Sequence, residues 1–328
     1  MMLNNDPRTI LSEVRKPFCL ALLGPTCSGK TSVALELAER MQAEIISCDS
    51  MQIYRGMDIG TAKPSSIDRA HIPHHLIDVL PISERYTADR FVHAARRVLQ
   101  TVHEKGSVAL LVGGTGMYAK ALIYDYDFQP SDPAVYRKIE EEYSSRGGPR
   151  RLVAELHRAS PTIDGDVLEN PRRLLRAVEV LRLTGHPPSP RRKVRCEALP
   201  AFRQYILLPS MRRMRACIEK RTVHMLSDGW IEETEDLLAC GFDNAPTARH
   251  ALGYSHIADY LRGVIETQDE LRRKIVGATV KYCRRQRTWF RRQHPGAAFL
   301  TIRDDCEVGD IAAGLAASFS RAKNSTSY

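Results

Sequence analysis

Short apolar runs bounded by turn-forming residues occur at 18–23, 44–47, 76–79, 108–112, 205–208 and 299–302. Their lengths and their boundaries predict strands. Segments with apolar residues at helical spacing separate most of them, which predicts an α/β fold: a parallel sheet flanked by crossover helices. The clearest helix follows Thr87, where Phe91, Ala94, Ala95, Val98, Leu99 and Val102 form one stripe. Thr87 is placed to cap its start and Gly106 to end it.

From about Asp127 to Pro200 the strand signals stop and the pattern turns helical. Asn170 followed by Pro171 is a strong helix start; Leu174, Val178 and Leu181 give an apolar stripe that Gly185 closes. His186, Pro187, Pro188, Ser189 and Pro190 then read as a turn or linker, before the strand pattern returns. The expected organisation is an α/β core from 1–126 and 202–328, ending in basic helices, with a helical insertion domain at 127–201.

A chain of 328 residues is long enough to bury a full core. Lys and Arg outnumber Asp and Glu by 48 to 39, a net charge of +9 that fits a polyanionic partner without requiring one. The eight cysteines are scattered with no Cys-x-x-Cys pair, which argues against a zinc site and a disulfide framework and for free thiols. The first sixteen residues lack the apolar run of a signal peptide, and no stretch approaches the roughly 18 apolar residues of a membrane span. A cytoplasmic, monomeric protein is expected. His71, His74 and His75 lie close together, but Pro73 and the lack of a companion ligand favour a loop over a metal site.

The residues Gly24, Pro25, Thr26, Cys27, Ser28, Gly29, Lys30 and Thr31 match the phosphate-loop pattern at every fixed position. They also follow an apolar strand and open a helix, where that pattern belongs. Such a loop turns backbone N–H groups onto phosphate oxygens, adds the Lys30 charge and offers the Thr31 hydroxyl to Mg²⁺. Taken alone it predicts a nucleotide such as ATP or GTP, hence a kinase or ATPase.

Other segments narrow the reading. Asp49, Ser50, Met51, Gln52 and Tyr54 follow the second strand, with 56–64 beyond them; Gly113, Gly114, Thr115, Gly116, Met117 and Tyr118 follow the fourth. With the phosphate loop and with 74–78, 170–179, Gly253, Tyr254 and 285–290, they resemble the bacterial tRNA dimethylallyltransferase (tRNA isopentenyltransferase) family from about Phe18 to Arg292. The resemblance implies transfer of a dimethylallyl group from dimethylallyl diphosphate to the exocyclic amine of the adenosine immediately on the 3′ side of the anticodon. It further implies that the loop at 24–31 holds the diphosphate rather than a nucleotide, with Mg²⁺ at Thr31, and that Arg221 reaches the same group. Asp49 matches the family's general base and Thr115 a threonine contacting the target nucleotide. By spacing alone Asp49 reads equally as a helix cap, and Thr115 as a capping hydroxyl.

The family's RNA contacts map onto Asp49, Ser50, Met51, Gln52 and Thr115 in the crevice, with Gln52 and Asp49 expected to read the adenine edge. Outside it they map onto Arg137, Arg172, Arg173, Leu174, Leu175, Arg176, Arg249, Gly253, Tyr254, Arg285 and Gln286. His250, Ala251 and Leu252 depart from the family pattern, which weakens the transfer of roles to that segment. Six basic residues and no acidic one lie between Lys281 and Arg292, interleaved with Tyr282, Trp289 and Phe290. Trp289 and Phe290 are expected in the core, with some of these arginines on phosphates. Arg191, Arg192, Lys193 and Arg195 form a further basic group that reads as well as solubilising charge. The rival functions are a small-molecule kinase, a tRNA-binding protein without catalysis, and a transferase acting on free AMP.

Overall fold

The computed structural model describes residues 11, 16–188, 195, 197–302 and 306–324. The chain forms two compact units, Tyr126–Arg195 and the remainder of the chain on either side of it. The larger unit is organised on a six-stranded sheet of β1 (Cys19–Leu23), β2 (Ala43–Ser47), β3 (His74–His75), β4 (Val108–Gly113), β5 (Phe202–Leu207) and β6 (Ala298–Leu300). The order is β3-β2-β4-β1-β5-β6 and every pairing is parallel. All residues of β1 and β2 are buried; β1 is accordingly apolar throughout, whereas β2 carries the buried polar residues Glu44 and Ser47.

The helices of the first half of this unit include α1 (Lys30–Met41), α2 (Ser66–His71), α3 (Ala88–Glu104) and α4 (Gly116–Ile123). The Thr87 hydroxyl caps α3 by accepting from Arg90 N at 3.2 Å. The expected strand at 76–79 is absent. Leu76 and Asp78 adopt positive φ (62° and 55°), and Asp78 is drawn into ion pairs with Lys63 and Arg69. The strand forms at His74 and His75 instead, paired with Ile45 and Ile46. There His75 Nε2 lies 2.7 Å from Glu44, which also pairs with Lys105.

The smaller unit contains α5 (Pro133–Ser144), α6 (Gly148–Ala159), α7 (Gly165–Glu169) and α8 (Pro171–Thr184). Its own core comprises Tyr136, Ile139, Leu152, Leu156, Leu174, Leu175, Ala177 and Val178. Asn170 caps α8 through Arg172 N and Arg173 N, and Gly185 ends it at φ 73°. The fully buried Glu179 accepts from Ser131 Oγ (2.7 Å) and Asp132 N (2.9 Å), fixing the entry to α5. Arg191, Arg192 and Lys193 lie outside the described residues.

The larger unit continues with α9 (Met211–Ser227), α10 (Trp230–Ala239), α11 (Tyr254–Leu261), α12 (Gln268–Gln293) and α13 (Val308–Asn324). Ala312, Leu315 and Phe319 of α13 join Val33, Leu37, Leu20 and Leu22 in the core over one sheet face. Among the described residues no helix is long and apolar enough to cross a membrane.

Past the end of α12 the imidazole of His294 is fully buried, with Nδ1 3.0 Å from Gln204 Oε1 and Nε2 3.3 Å from Gly116 O. Burial pushes its pKa down to about 4 from an ordinary 6.5, against the opposing pull of the Gly116 carbonyl. Between these values the unfolded chain takes up a proton that the folded chain refuses, so stability falls as pH falls through that window. The contribution lost amounts to about 3 kcal/mol at most. Urea unfolding followed across this range is expected to show a shallower pH slope for His294→Gln than for the wild type. Equal slopes would mean that the buried imidazole is not what makes the fold acid-sensitive.

Candidate active site

Strands β2, β4 and β1 are neighbours, so the loops leaving their carboxyl ends meet at one crevice. Backbone bonds tie the three together: Gly24 N to Gly113 O (3.3 Å), Cys48 N to Val112 O (2.7 Å) and Thr115 N to Cys48 O (3.2 Å). A Cβ on Gly113 would lie 2.0 Å from the Cys48 carbonyl oxygen, so only glycine permits this approach.

The loop from Gly24 to Gly29 forms the first wall. No described side chain caps α1 and its first turn carries no acidic residue, leaving an electropositive amino end. The Ser28 hydroxyl is buried and has no hydrogen-bond partner among the described residues, which leaves it free to donate to a bound anion. Lys30 Nζ donates to Pro25 O at 3.3 Å; burial lowers its pKa, while the nearby Asp49 charge opposes that shift. Arg221, from α9, donates from Nη2 to Thr26 Oγ1 at 3.0 Å, which brings its guanidinium to the loop. Cys27, at φ 57°, is pulled down to about 6 by a hydrogen bond from Cys217 and by the Arg221 and Lys30 cations. Thr31 is exposed at the second position of α1. The described cysteines are all free; Cys196 lies outside the described residues.

The second wall is the segment after β2. None of the described helices begins at Asp49, so it is not a helix cap; its Oδ1 accepts from Met51 N at 2.9 Å and closes a tight turn. The Thr115 hydroxyl does not cap α4 either. It accepts from Ser50 N at 3.1 Å and lies 3.4 Å from Ser50 Oγ, joining the second wall to the third. Asp49 precedes Ser50, whose N–H is held by Thr115 Oγ1, and a Cβ on the adjoining Gly114 would lie 3.7 Å from Lys30 Nζ, so this segment stands close to the phosphate loop.

Gln52 belongs to the same segment, but its amide is engaged. Ser47 Oγ donates to its oxygen at 3.1 Å, and its nitrogen donates to Thr61 O and Ala62 O, both at 3.2 Å. Both amide protons are therefore spent on the turn, and a single lone pair of the amide oxygen is left for a further donor. Sequence reasoning also missed Glu233 on α10. Its carboxylate accepts from Asp58 N (2.8 Å), Ile59 N (2.7 Å), Gly60 N (3.1 Å) and the Tyr254 hydroxyl (2.6 Å). Consecutive amides converging on one carboxylate explain the ordered loop at 56–64. Glycines at 56 and 60 were the only hint.

The residues expected to meet RNA sort by exposure. Arg137 and Arg172 are exposed on the smaller unit, and Arg249 and Arg285 on the larger. Arg285 sits over the Tyr282 ring at 5.7 Å. Arg173 is paired with Asp166, and Arg176 holds Glu179, Pro130 O and Gln129 O. Leu174, Leu175 and Tyr254 are buried, so their side chains belong to the packing that presents the neighbouring residues. Gly253 is also buried, at φ 93°. Phe290 is core as expected, whereas Trp289 remains 37% exposed and packs its edge close to Gly116.

Comparison with known proteins agrees with this architecture. The IPP transferase family model matches residues 52–293. A tRNA dimethylallyltransferase of Thermus thermophilus is 40% identical over 85% of this chain and 91% of its own length. One of Corynebacterium jeikeium is 37% identical over 83% and 88%. Among solved structures, a tRNA isopentenylpyrophosphate transferase from Bacillus halodurans superposes with TM-score 0.65 at 31% identity, covering 94% of this chain and 99% of that one. A eukaryotic dimethylallyltransferase acting on tRNA shares the fold at TM-score 0.78 and 22% identity, over 94% and 81%. By its sequence match over most of its length, the chain belongs to the IPP transferase family.

Proposed function

We infer that this chain transfers the dimethylallyl group of dimethylallyl diphosphate to the exocyclic amine of the adenosine on the 3′ side of a tRNA anticodon, releasing diphosphate. The observation that carries the reading is the bonding of three loops at one crevice: Gly24 N donates to Gly113 O, Thr115 N to Cys48 O and Ser50 N to the Thr115 hydroxyl, so that Asp49 is bracketed by two residues tied to the loop beside the phosphate loop. Departure of diphosphate from an allylic carbon leaves positive charge on carbon and builds negative charge on the leaving oxygens. The loop N–H groups, the free Ser28 hydroxyl, Lys30 and Arg221 meet that charge. Asp49 takes the proton from the amine, whose lone pair is delocalised into the ring and is a poor nucleophile while the N–H is intact. Thr115 and the Ser50 backbone shape the acceptor side.

The residues present fit Mg²⁺ as a diphosphate-borne ion. Thr31 offers an exposed hydroxyl beside the cradle, and no group of three or more His, Cys, Asp or Glu among the described residues forms a separate cage. Bound there, Mg²⁺ would neutralise leaving-group charge. A stacked adenine cannot present its amine to a buried allyl group, so the base is turned out into the crevice. Exposed Arg137, Arg172, Arg249 and Arg285 contact phosphates of the anticodon stem-loop. In keeping with a tRNA acceptor, the enzyme acts in the cytoplasm and as a monomer.

The test is incorporation of labelled dimethylallyl diphosphate into unmodified tRNA, with Mg²⁺ and without ATP. Label in the anticodon loop is the expected result, with free AMP unlabelled. Turnover only when ATP and a small acceptor are supplied would overturn the proposal in favour of a kinase.

A further inference from the structure

Gln286 stands in the most basic stretch of α12, between the exposed Arg284 and Arg285 and the half-buried Arg287, yet its own side chain is buried. Its Oε1 accepts from Thr26 N at 2.9 Å and its Nε2 donates to Gly114 O at 2.8 Å. Thr26 N is a donor and Gly114 O an acceptor, so the amide has only one orientation that satisfies both. A carboxylate has no proton for Gly114 O, and an alkyl side chain would leave the buried Gly114 carbonyl and the part-buried Thr26 N–H without this partner. Gly114 is the complement of this contact: a Cβ there would lie 2.8 Å from Gln286 Nε2 and 3.7 Å from Lys30 Nζ. One amide therefore joins the phosphate loop to the loop that carries Thr115, from a helix whose outer face presents arginines.

We propose that Gln286 is a positioning residue for the transfer reaction, its amide setting the spacing between the diphosphate cradle and the acceptor loop, rather than a contact to RNA. The inference rests on the transferase reading above. Through it, the arginine-bearing helix, the donor loop and the acceptor loop share one fixed geometry. Misplacement of reacting groups by a fraction of an ångström to one ångström is costly even when each partner still binds.

The experiment compares wild type with Gln286→Met, Gln286→Glu and Gly114→Ala. It measures kcat and KM for dimethylallyl diphosphate and, separately, tRNA affinity by filter binding. Gln286→Met is expected to lower kcat by about 100-fold with tRNA affinity unchanged. Gly114→Ala, which pushes the same amide from the other side, is expected to give the same split. Gln286→Glu is expected to be impaired at alkaline pH and to recover relative to wild type as pH falls. The protonated carboxyl regains a donor for Gly114 O while still accepting from Thr26 N. Weakened tRNA binding with kcat preserved would overturn the proposal, as would a pH-independent loss in Gln286→Glu. A wild type that fails to label tRNA would overturn the transferase reading and this inference with it; an active wild type with either of those variant patterns would overturn this inference alone.

Discussion

Asp49→Ala is expected to reduce transfer to tRNA by about 10²- to 10⁴-fold, the range that a positioned general base contributes, while tRNA binding stays near the wild-type level. The structure makes a sharper variant available. Asp49 Oδ1 accepts from Met51 N at 2.9 Å, and an asparagine at this position keeps that oxygen and therefore the turn. Asp49→Asn should match Asp49→Ala in its loss of rate under single-turnover conditions with tRNA and donor both saturating. If Asp49→Asn kept near-normal turnover, the carboxylate would be a turn former only, and the amine would lose its proton elsewhere. The same substitution removes the negative charge that opposes the lowering of the Lys30 pKa. Donor use in Asp49→Asn should therefore decline at a lower pH on the alkaline side than in the wild type, a second readout independent of the first.

Much of this crevice was legible in the sequence because its parts are local. The phosphate loop is a contiguous octet behind a buried strand, and the strand ends at Ser47 and Gly113 mark where ligand-facing loops begin. Caps at Thr87 and Asn170 were readable for the same reason: a side chain and the N–H groups it serves are two or three residues apart. What could not be read was long-range polar pairing. Gln286 meets Thr26 across 260 positions, and Glu233 reaches Gly60 across 173. No spacing rule connects such residues, so neither the partners of Gln286 nor those of Glu233 are legible in the chain. The missed strand at His74 fails for a different reason. The apolar residues at 76–79 look extended, but the ion pairs of Asp78 with Lys63 and Arg69 hold a left-handed turn that no local pattern announces. Tyr254 falls in a segment that resembles an RNA contact; its ring is buried and its hydroxyl donates to Glu233, a pairing that no local pattern announces.

Lys30→Ala is expected to lower kcat/KM for dimethylallyl diphosphate by about 10²- to 10³-fold, comparable to removing one preorganised donor from an oxyanion site. Lys30 is the charge inside the cradle, held by Pro25 O at 3.3 Å, and burial depresses its pKa because its ammonium is taken from water before the ligand arrives. A bound diphosphate replaces that lost solvation with opposite charge, most strongly as the leaving oxygens gain charge, so kcat should fall along with donor affinity. Arg221 cannot fill the gap, since its guanidinium is anchored at Thr26 Oγ1 on the rim. Lys30→Arg should rescue poorly, because a planar guanidinium is bulkier than the ammonium it replaces and does not fit a space shaped for a point charge. Donor titrations at saturating tRNA, alongside filter binding of the tRNA, decide the matter. Loss confined to the donor identifies this loop as the diphosphate cradle, whereas weakened tRNA binding with normal donor kinetics would move the phosphate loop from the chemistry to the RNA.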